Sequence, residues 1–258
     1  MQTQAIVTGA AGDIGRAIVA RLLDAGHVVR GWDIDTAGLE ANDARWAEDV
    51  YRSERVNLLE MEEVRAAADH ALAGKEPVAL LVNNAGGVTA ATSLKRATEP
   101  DMRRDLDLNL MAAWRCIECL RRELARVEGA AVVNVASING TGVYGFPGYS
   151  AAKAGLLHLT RFAAVELGKE GIRVNAVAPG TVRTQAWDSR AARDPNLFES
   201  IAGWYPMRAI CEPDDVAAAV AFLAGRDARM ITGVTLPVDG GLGAGVDRLA
   251  GELIQEDI

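Results

Sequence analysis

Ala5-Ile6-Val7-Thr8-Gly9-Ala10-Ala11-Gly12-Asp13-Ile14-Gly15 opens the chain with a short apolar run that breaks into a glycine-rich turn. Beyond the turn, Ile14, Ala17, Ile18, Leu22 and Leu23 recur at helical spacing up to the stop signal Ala25-Gly26. His27-Val28-Val29-Arg30-Gly31-Trp32 then reads as a second strand. A strand, a helix and a second strand in this order form a right-handed parallel crossover. Glycines in its first turn let the backbone approach a pyrophosphate, at which the helix N–H groups point.

Outward from this unit the alternation continues. A weaker strand is expected near 55–58, a helix over 60–73, a strand over 78–82 and a long helix over 99–126. Strand 131–136, helix 149–169, strand 172–177, helix 214–223 and strand 234–238 complete the series. Ala79-Leu80-Leu81-Val82 and Val132-Val133-Asn134-Val135 are almost continuously apolar, as strands buried on both faces require. The expectation is an α/β fold: one domain over 1–258, with a Rossmann-type doubly wound parallel sheet of about seven strands and helices on both faces. The least regular stretch, 184–213, carries Trp187 and Trp204 and is expected to be a substrate loop. A tail over 242–258 is glycine-rich and then amphipathic, with Leu249, Leu253 and Ile254 opposite Glu252, Glu256 and Asp257; it could reach a neighbouring subunit.

Composition narrows the partners. A net charge of −8 argues against a general electrostatic grip on nucleic acid or anionic lipid. No apolar run approaches the ~18–20 residues needed to cross a bilayer. The start has neither a basic n-region nor an apolar h-region. Cys116, Cys119 and Cys211 are too few for a disulfide framework and suit a reducing cytoplasm. Cys116 and Cys119 fall within the long helix, far in sequence from His27, His70 and His158, so they read as packing residues and no metal site is expected.

Two further readings concern chemistry. Asp33 ends the second strand 18 residues after Gly15, where an acid would take the adenosine ribose hydroxyls and repel a 2′-phosphate. Ile34 follows it and no basic residue precedes Gly15 in the turn, so the expected cofactor is NAD rather than NADP. Tyr149 and Lys153 lie four apart on one helical face. A nearby ammonium favours the phenolate and makes a tyrosine usable for proton transfer. Ser137 adds a hydroxyl just after the strand at 131–136, at the carboxyl end of the sheet, where ligands of open parallel sheets gather.

With these motifs the chain resembles the short-chain dehydrogenase/reductase family in its compact single-domain branch, from Thr8 to Gly241. Asn83-Asn84-Ala85-Gly86, Asn109 within Leu106-Asp107-Leu108-Asn109, Ser137, Pro179-Gly180-Thr181-Val182-Arg183-Thr184 and Val238-Asp239-Gly240-Gly241 all match in order. The resemblance implies a catalytic set of Asn109, Ser137, Tyr149 and Lys153. Tyr149 is the acid/base, Ser137 orients the substrate oxygen, Lys153 holds the nicotinamide ribose and depresses the phenol, and Asn109 kinks its helix and supports a water. The implied cofactor set is Gly9, Gly12, Asp13, Ile14, Gly15, Asp33, Asn57, Leu58, Asn84, Ala85, Gly86, Tyr149, Lys153, Pro179, Gly180, Val182 and Thr184. Assembly as a homo-oligomer, a tetramer or dimer through the two long helices, is implied as well.

Several positions depart from that pattern. The glycine turn reads TGxxGxxG, with Asp13 at the compact branch's middle glycine; this spacing belongs to the longer branch of epimerases and dehydratases. Only 17 residues follow Gly241, too few for that branch's substrate domain. Asn57 replaces a frequent aspartate, Ser137 and Tyr149 are one residue closer than usual, and Met207 to Pro213 keep part of a glycine-containing pattern. The expected function is NAD-dependent interconversion of a secondary alcohol (polyol, sugar or hydroxy-acid type) with its ketone or lactone. The alternatives are an epimerase or dehydratase that retains NAD, and a non-catalytic dinucleotide-binding protein. Arg183, Gln185, Arg190 and Arg193 hint at a polar or anionic small-molecule substrate.

Overall fold

A computed structural model describes residues 2–256; Met1 and, in the expected tail, Asp257 and Ile258 lie outside the described residues. Seven strands, β1 (Gln4–Thr8), β2 (Val28–Asp33), β3 (Tyr51–Arg55), β4 (Val78–Asn83), β5 (Ala131–Val135), β6 (Arg173–Pro179) and β7 (Thr235–Val238), form one sheet in the order β3-β2-β1-β4-β5-β6-β7. Every neighbouring pair is parallel.

Side-chain alternation divides the core between the two faces. Ala5 and Val7 of β1 pack with Ile18 and Leu22 of α1 (Asp13–Asp24) and with Val216 and Val220 of α9 (Pro213–Ala224). Ile6, between them, joins the opposite layer, where Val64 of α3 (Met61–Leu72) meets Cys116 and Leu120 of α5 (Ala112–Leu124). Ala163 and Ala164 of α6 (Pro147–Leu167) complete that layer. The doubly wound sheet expected from the sequence is therefore present, and Cys116 is a core residue, fully buried.

Local differences have physical causes. The third strand lies at Tyr51–Arg55, just before the expected 55–58, because it is a sheet edge. Its Arg52, Ser53, Glu54 and Arg55 give no apolar signal, and charge on an edge strand discourages pairing with other chains. A short helix, α2 (Thr36–Asp43), follows β2 unannounced; the Asp35 side chain caps it by accepting the Gly38 N–H at 3.2 Å. The long helix is built from α4 (Glu99–Leu106), a π-helical turn (Asp107–Met111) and α5. The 184–213 stretch holds α7 (Asp188–Ala191) and α8 (Leu197–Ala202), and α10 (Asp247–Ile254) occupies the tail. The last strand, β7, is the other edge and contains Pro237, which lacks a ladder donor. Among the described residues no helix is long and apolar enough to cross a membrane.

Arg173, at the start of β6 and 9% exposed, closes the C-terminus of α9. Its guanidinium donates to the carbonyls of Leu223 (2.6 Å), Ala224 (2.9 Å) and Gly225 (3.4 Å). A cation at the negative end of a helix satisfies carbonyls that the helix itself leaves open. Arg173→Met should lower stability by roughly 2–3 kcal/mol. Urea unfolding would show the loss as a lower midpoint at unchanged slope, and an unchanged midpoint would refute the cap.

Candidate active site

Strand order reverses between β1 and β4, and a cleft of about 540 Å³ opens at their carboxyl ends. The β1–α1 turn forms its floor. Gly9 has φ +66°, and a Cβ there would come within 2.8 Å of Ala85 Cα. A Cβ on Gly15 would sit 2.0 Å from the Gly9 carbonyl oxygen, so both positions exclude any side chain. Gly12 caps α1 without a side-chain hydrogen bond, which leaves the first N–H groups of the helix free toward the cleft. Such a cradle fits a pyrophosphate.

The two strand ends are locked together. Thr8 Oγ1 accepts the N–H groups of Asn84 and Ala85, each at 3.0 Å. Asn84 Nδ2 returns donors to the carbonyls of Thr8 and Gly9, also at 3.0 Å each. Farther along the cleft, Asp33 ends β2 and its Oδ2 accepts the Ala11 N–H at 2.9 Å. Asp33, Ile34 and Asp35 line that end, with Asn57 and Leu58 opposite. Asp13 also lines the cleft, but its carboxylate accepts the Gln185 N–H at 2.7 Å. It thus fastens the start of the 184–213 stretch across the turn. All the sequence-derived cofactor residues line this cleft or the one that adjoins it.

A second cleft, of about 700 Å³, continues from the first through Ile14, Asn84, Gly86, Thr184 and Ala186. Ser137, Tyr149, Lys153, Pro179, Gly180 and Val182 line it. Ser137 follows β5 and accepts the Asn139 N–H at 3.2 Å. Tyr149 and Lys153 come from the first two turns of α6, whose start is fixed by Pro147. Lys153, 3% exposed, donates from Nζ to the Val135 carbonyl at 2.8 Å, with Nζ 5.5 Å from the Tyr149 ring centroid. Asn109 lies behind the cleft wall, 1% exposed, within the π-helical turn. Its Nδ2 donates to the carbonyls of Gly87 (2.8 Å) and Asp105 (3.0 Å), and its Oδ1 accepts the Gly87 N–H (3.0 Å). The kink expected at Asn109 is thus a π turn, with the side chain bonding to a helix carbonyl.

Electrostatics differ from the sequence expectation in one respect. Burial pushes the Lys153 pKa down to about 8. The Tyr149 phenol is pushed up, first by burial and then by the nearby Asp105 charge, while its side-chain hydrogen bond with Ser137 pulls it down. In the cofactor-free protein burial, rather than the nearby ammonium, sets the direction of the phenol's shift.

Asp105 and the Val135 carbonyl escaped the sequence analysis. Asp105, 3% exposed, accepts the Thr89 N–H (3.1 Å) and the Thr89 hydroxyl (3.2 Å). It packs so tightly on Gly148 that a Cβ there would lie 2.6 Å from its Oδ2. The signal available was spacing: Asp105 stands one helical turn before Asn109, on the same face. A backbone acceptor such as Val135 leaves no signal in side-chain chemistry.

A family model described as enoyl-(acyl carrier protein) reductase matches residues 9–243. The crystal structure of a short-chain dehydrogenase/reductase family oxidoreductase from Burkholderia thailandensis is 39% identical, with a TM-score of 0.93 over 99% of this chain and 98% of that one. An uncharacterized oxidoreductase of Schizosaccharomyces pombe is 34% identical over 98% of this chain and 95% of its own length. An NADPH-bound short-chain oxidoreductase from Pseudomonas aeruginosa is 27% identical, with a TM-score of 0.88 over 93% of this chain and 96% of that one.

A buried cation with one carbonyl partner is costly. The native state holds its proton less tightly than the unfolded chain does, so this group's contribution to stability rises with pH between about 8 and 10.5. Below that window the penalty is roughly 3 kcal/mol, less what the Val135 hydrogen bond returns. Lys153→Met should therefore raise the melting temperature of the cofactor-free protein at neutral pH, with the gain shrinking as pH climbs through the window. A lower melting temperature at neutral pH would show instead that the ammonium stabilises the fold.

Proposed function

The chain belongs to the short-chain dehydrogenase/reductase family of dinucleotide-binding oxidoreductases, and on that premise we propose that it is an NAD-dependent enzyme interconverting a secondary alcohol and its ketone or lactone. One observation carries the reading: Ser137, Tyr149 and Lys153 line one cleft that opens directly from a pyrophosphate-shaped turn. A pure binding protein has no use for a phenol, a hydroxyl and a buried ammonium gathered at that point.

A nicotinamide dinucleotide held in this cleft would supply the hydride acceptor for oxidation and the hydride donor for reduction. Tyr149 takes the proton from the substrate hydroxyl during oxidation and returns it to the ketone oxygen during reduction. The Ser137 hydroxyl donates to that oxygen and fixes its orientation. Lys153, held on Val135, contacts the ribose of the cofactor and relays protons from the phenol. Asn109 holds its helix at the π turn through the Asp105 carbonyl, and a water there would link Lys153 to solvent. Gly9, Gly12, Asp13, Ile14 and Gly15 would hold the cofactor's pyrophosphate, and Asn57 and Leu58 its adenine. Asn84, Ala85 and Gly86 would hold the nicotinamide half, and Pro179, Gly180, Val182 and Thr184 its carboxamide. The whole of 1–258 acts as one catalytic unit, with 184–213 as its substrate loop.

Asp33 and Asp35 at the end of β2 support NAD, since a 2′-phosphate there would face two carboxylates. Three free thiols, at Cys116, Cys119 and Cys211, support a cytoplasmic setting. Exposed Trp114 on α5 and Phe162 and Val165 on α6 support assembly of copies through the two long helices.

Two measurements test the reading. Tyr149→Phe should lower kcat by about a hundredfold or more while NADH binding persists; undiminished turnover would remove the phenol from the mechanism. Followed at 340 nm, oxidation of the alcohol should release NADH stoichiometrically and favour NAD over NADP by roughly tenfold or more in kcat/KM, with the bias shrinking in Asp33→Ser. A preference for NADP would refute the role of Asp33, and product formed without net NADH would favour the epimerase reading suggested by the TGxxGxxG spacing.

A further inference from the structure

Phe146, Trp187, Trp204, Tyr205, Leu242 and Val246 line the cleft beyond Tyr149, and among the described residues no carboxylate does. Several of its polar groups are already committed. Asn139 Nδ2 donates to the Gly145 carbonyl (3.2 Å) and to Ser150 Oγ (3.1 Å). The Tyr205 hydroxyl accepts the Thr181 N–H (2.7 Å) and donates to Thr181 Oγ1 (3.0 Å). A polyol entering here would exchange water for few new hydrogen bonds, a substantial loss for each unpaired hydroxyl.

Among the described residues two cations line the cleft, Lys153 and Arg190. Lys153 is held on Val135 and, in the reading above, serves the cofactor. Arg190, on α7 at the mouth, has its guanidinium 5.0 Å from the Trp187 ring centroid and 6.0 Å from that of Phe146. No carboxylate of the described residues pairs with it. Its neighbours differ: Arg183 pairs with Glu212 at 3.0 Å, Arg208 with Asp247 at 2.5 Å, and Arg193 donates to the Ser189 carbonyl at 3.0 Å. Phe146 supplies an independent sign that this corner is built. It holds φ +52°, a strained conformation for an aromatic residue, immediately before Pro147, and its N–H donates to Thr92 O at 3.1 Å. Its ring lies in the cleft wall beside Arg190.

We propose that Arg190 is the carboxylate anchor of the substrate cleft, so that the substrate is an aryl or alkyl hydroxy acid, or its oxo acid, with the carboxylate remote from the reacting carbon. A guanidinium lying on aromatic faces keeps its in-plane donors free and meets a carboxylate in bidentate fashion. One unpaired guanidinium suits a monoanion, whereas a phosphate dianion calls for further cations. The aromatic walls take the apolar body between the two polar ends. This inference rests on the oxidoreductase reading above and selects the hydroxy-acid type among its substrate classes.

The test is NADH consumption with oxo acids of graded chain length, each paired with its primary amide. The native enzyme should prefer an acid over its amide by roughly tenfold or more in kcat/KM, mainly through KM. Arg190→Met should bring the ratio close to one and Arg190→Lys should restore part of it, with NADH fluorescence confirming that each variant still binds cofactor. Equal use of acid and amide by the native enzyme, or a preference that survives in Arg190→Met, would overturn the anchor. Reduction of neutral carbonyls without any acid preference would sink the anchor alone. Failure of every carbonyl and alcohol with either cofactor would sink the oxidoreductase reading beneath it.

Discussion

A single ammonium, Lys153, held dry against the Val135 carbonyl, sets the conditions for everything around it. Nothing in the core requires a charge at that point, and an apolar side chain of similar length would fill the space at less cost. The fold tolerates it because the strands and helices that meet there are fixed by other means. Proteins keep such expensive groups mainly where chemistry needs them, and the price is met by packing elsewhere.

Those other means are polar locks at the ends of the central strands. Thr8 and Asn84 tie β1 to the segment after β4. One residue earlier, Asn83 Nδ2 donates to Asn134 Oδ1 (2.8 Å), and Asn134 Nδ2 donates to Thr160 Oγ1 (2.9 Å), joining β4, β5 and α6 in the buried interior. Asn109 clamps the backbone of Gly87 from both sides. The adjacent asparagines of Asn83-Asn84 point in opposite directions, as alternation along a strand dictates, and so serve two different junctions. Buried hydrogen bonds of this kind specify one arrangement more sharply than apolar contact does.

Much of this was legible in the letters, for identifiable reasons. The apolar runs of β1, β4 and β5 and the 3.6-residue spacing of α1 report burial directly, so the central architecture could be read. Tyr149, Lys153 and Ser137 could be placed because helical spacing and strand ends fix where such side chains emerge. The edge strand β3 could not, since a strand wetted on one side carries the residues of a loop. Helix α2 was hidden because its stability comes from the Asp35 cap and from Leu39 packed in the core rather than from its own composition. The upward push of burial on the phenol was not legible because spacing shows that an ammonium is near but not how dry the pair is. Arg190 stands with the other loop arginines in the sequence, yet only the fold shows that Arg183 and Arg208 have acidic partners while, among the described residues, Arg190 has none.

The two borders of the sheet bear on how copies of this chain meet. β3 presents Arg52, Glu54 and Arg55 along one border, and β7 places Pro237 in the other. Side-chain charge on the first and a missing backbone donor in the second both disfavour pairing with a passing strand. Growth by continuous cross-subunit ladders, the route to fibrous aggregates, is thus obstructed at both margins. Self-association is left to side-chain surfaces, where it can stop at a closed, countable number of subunits.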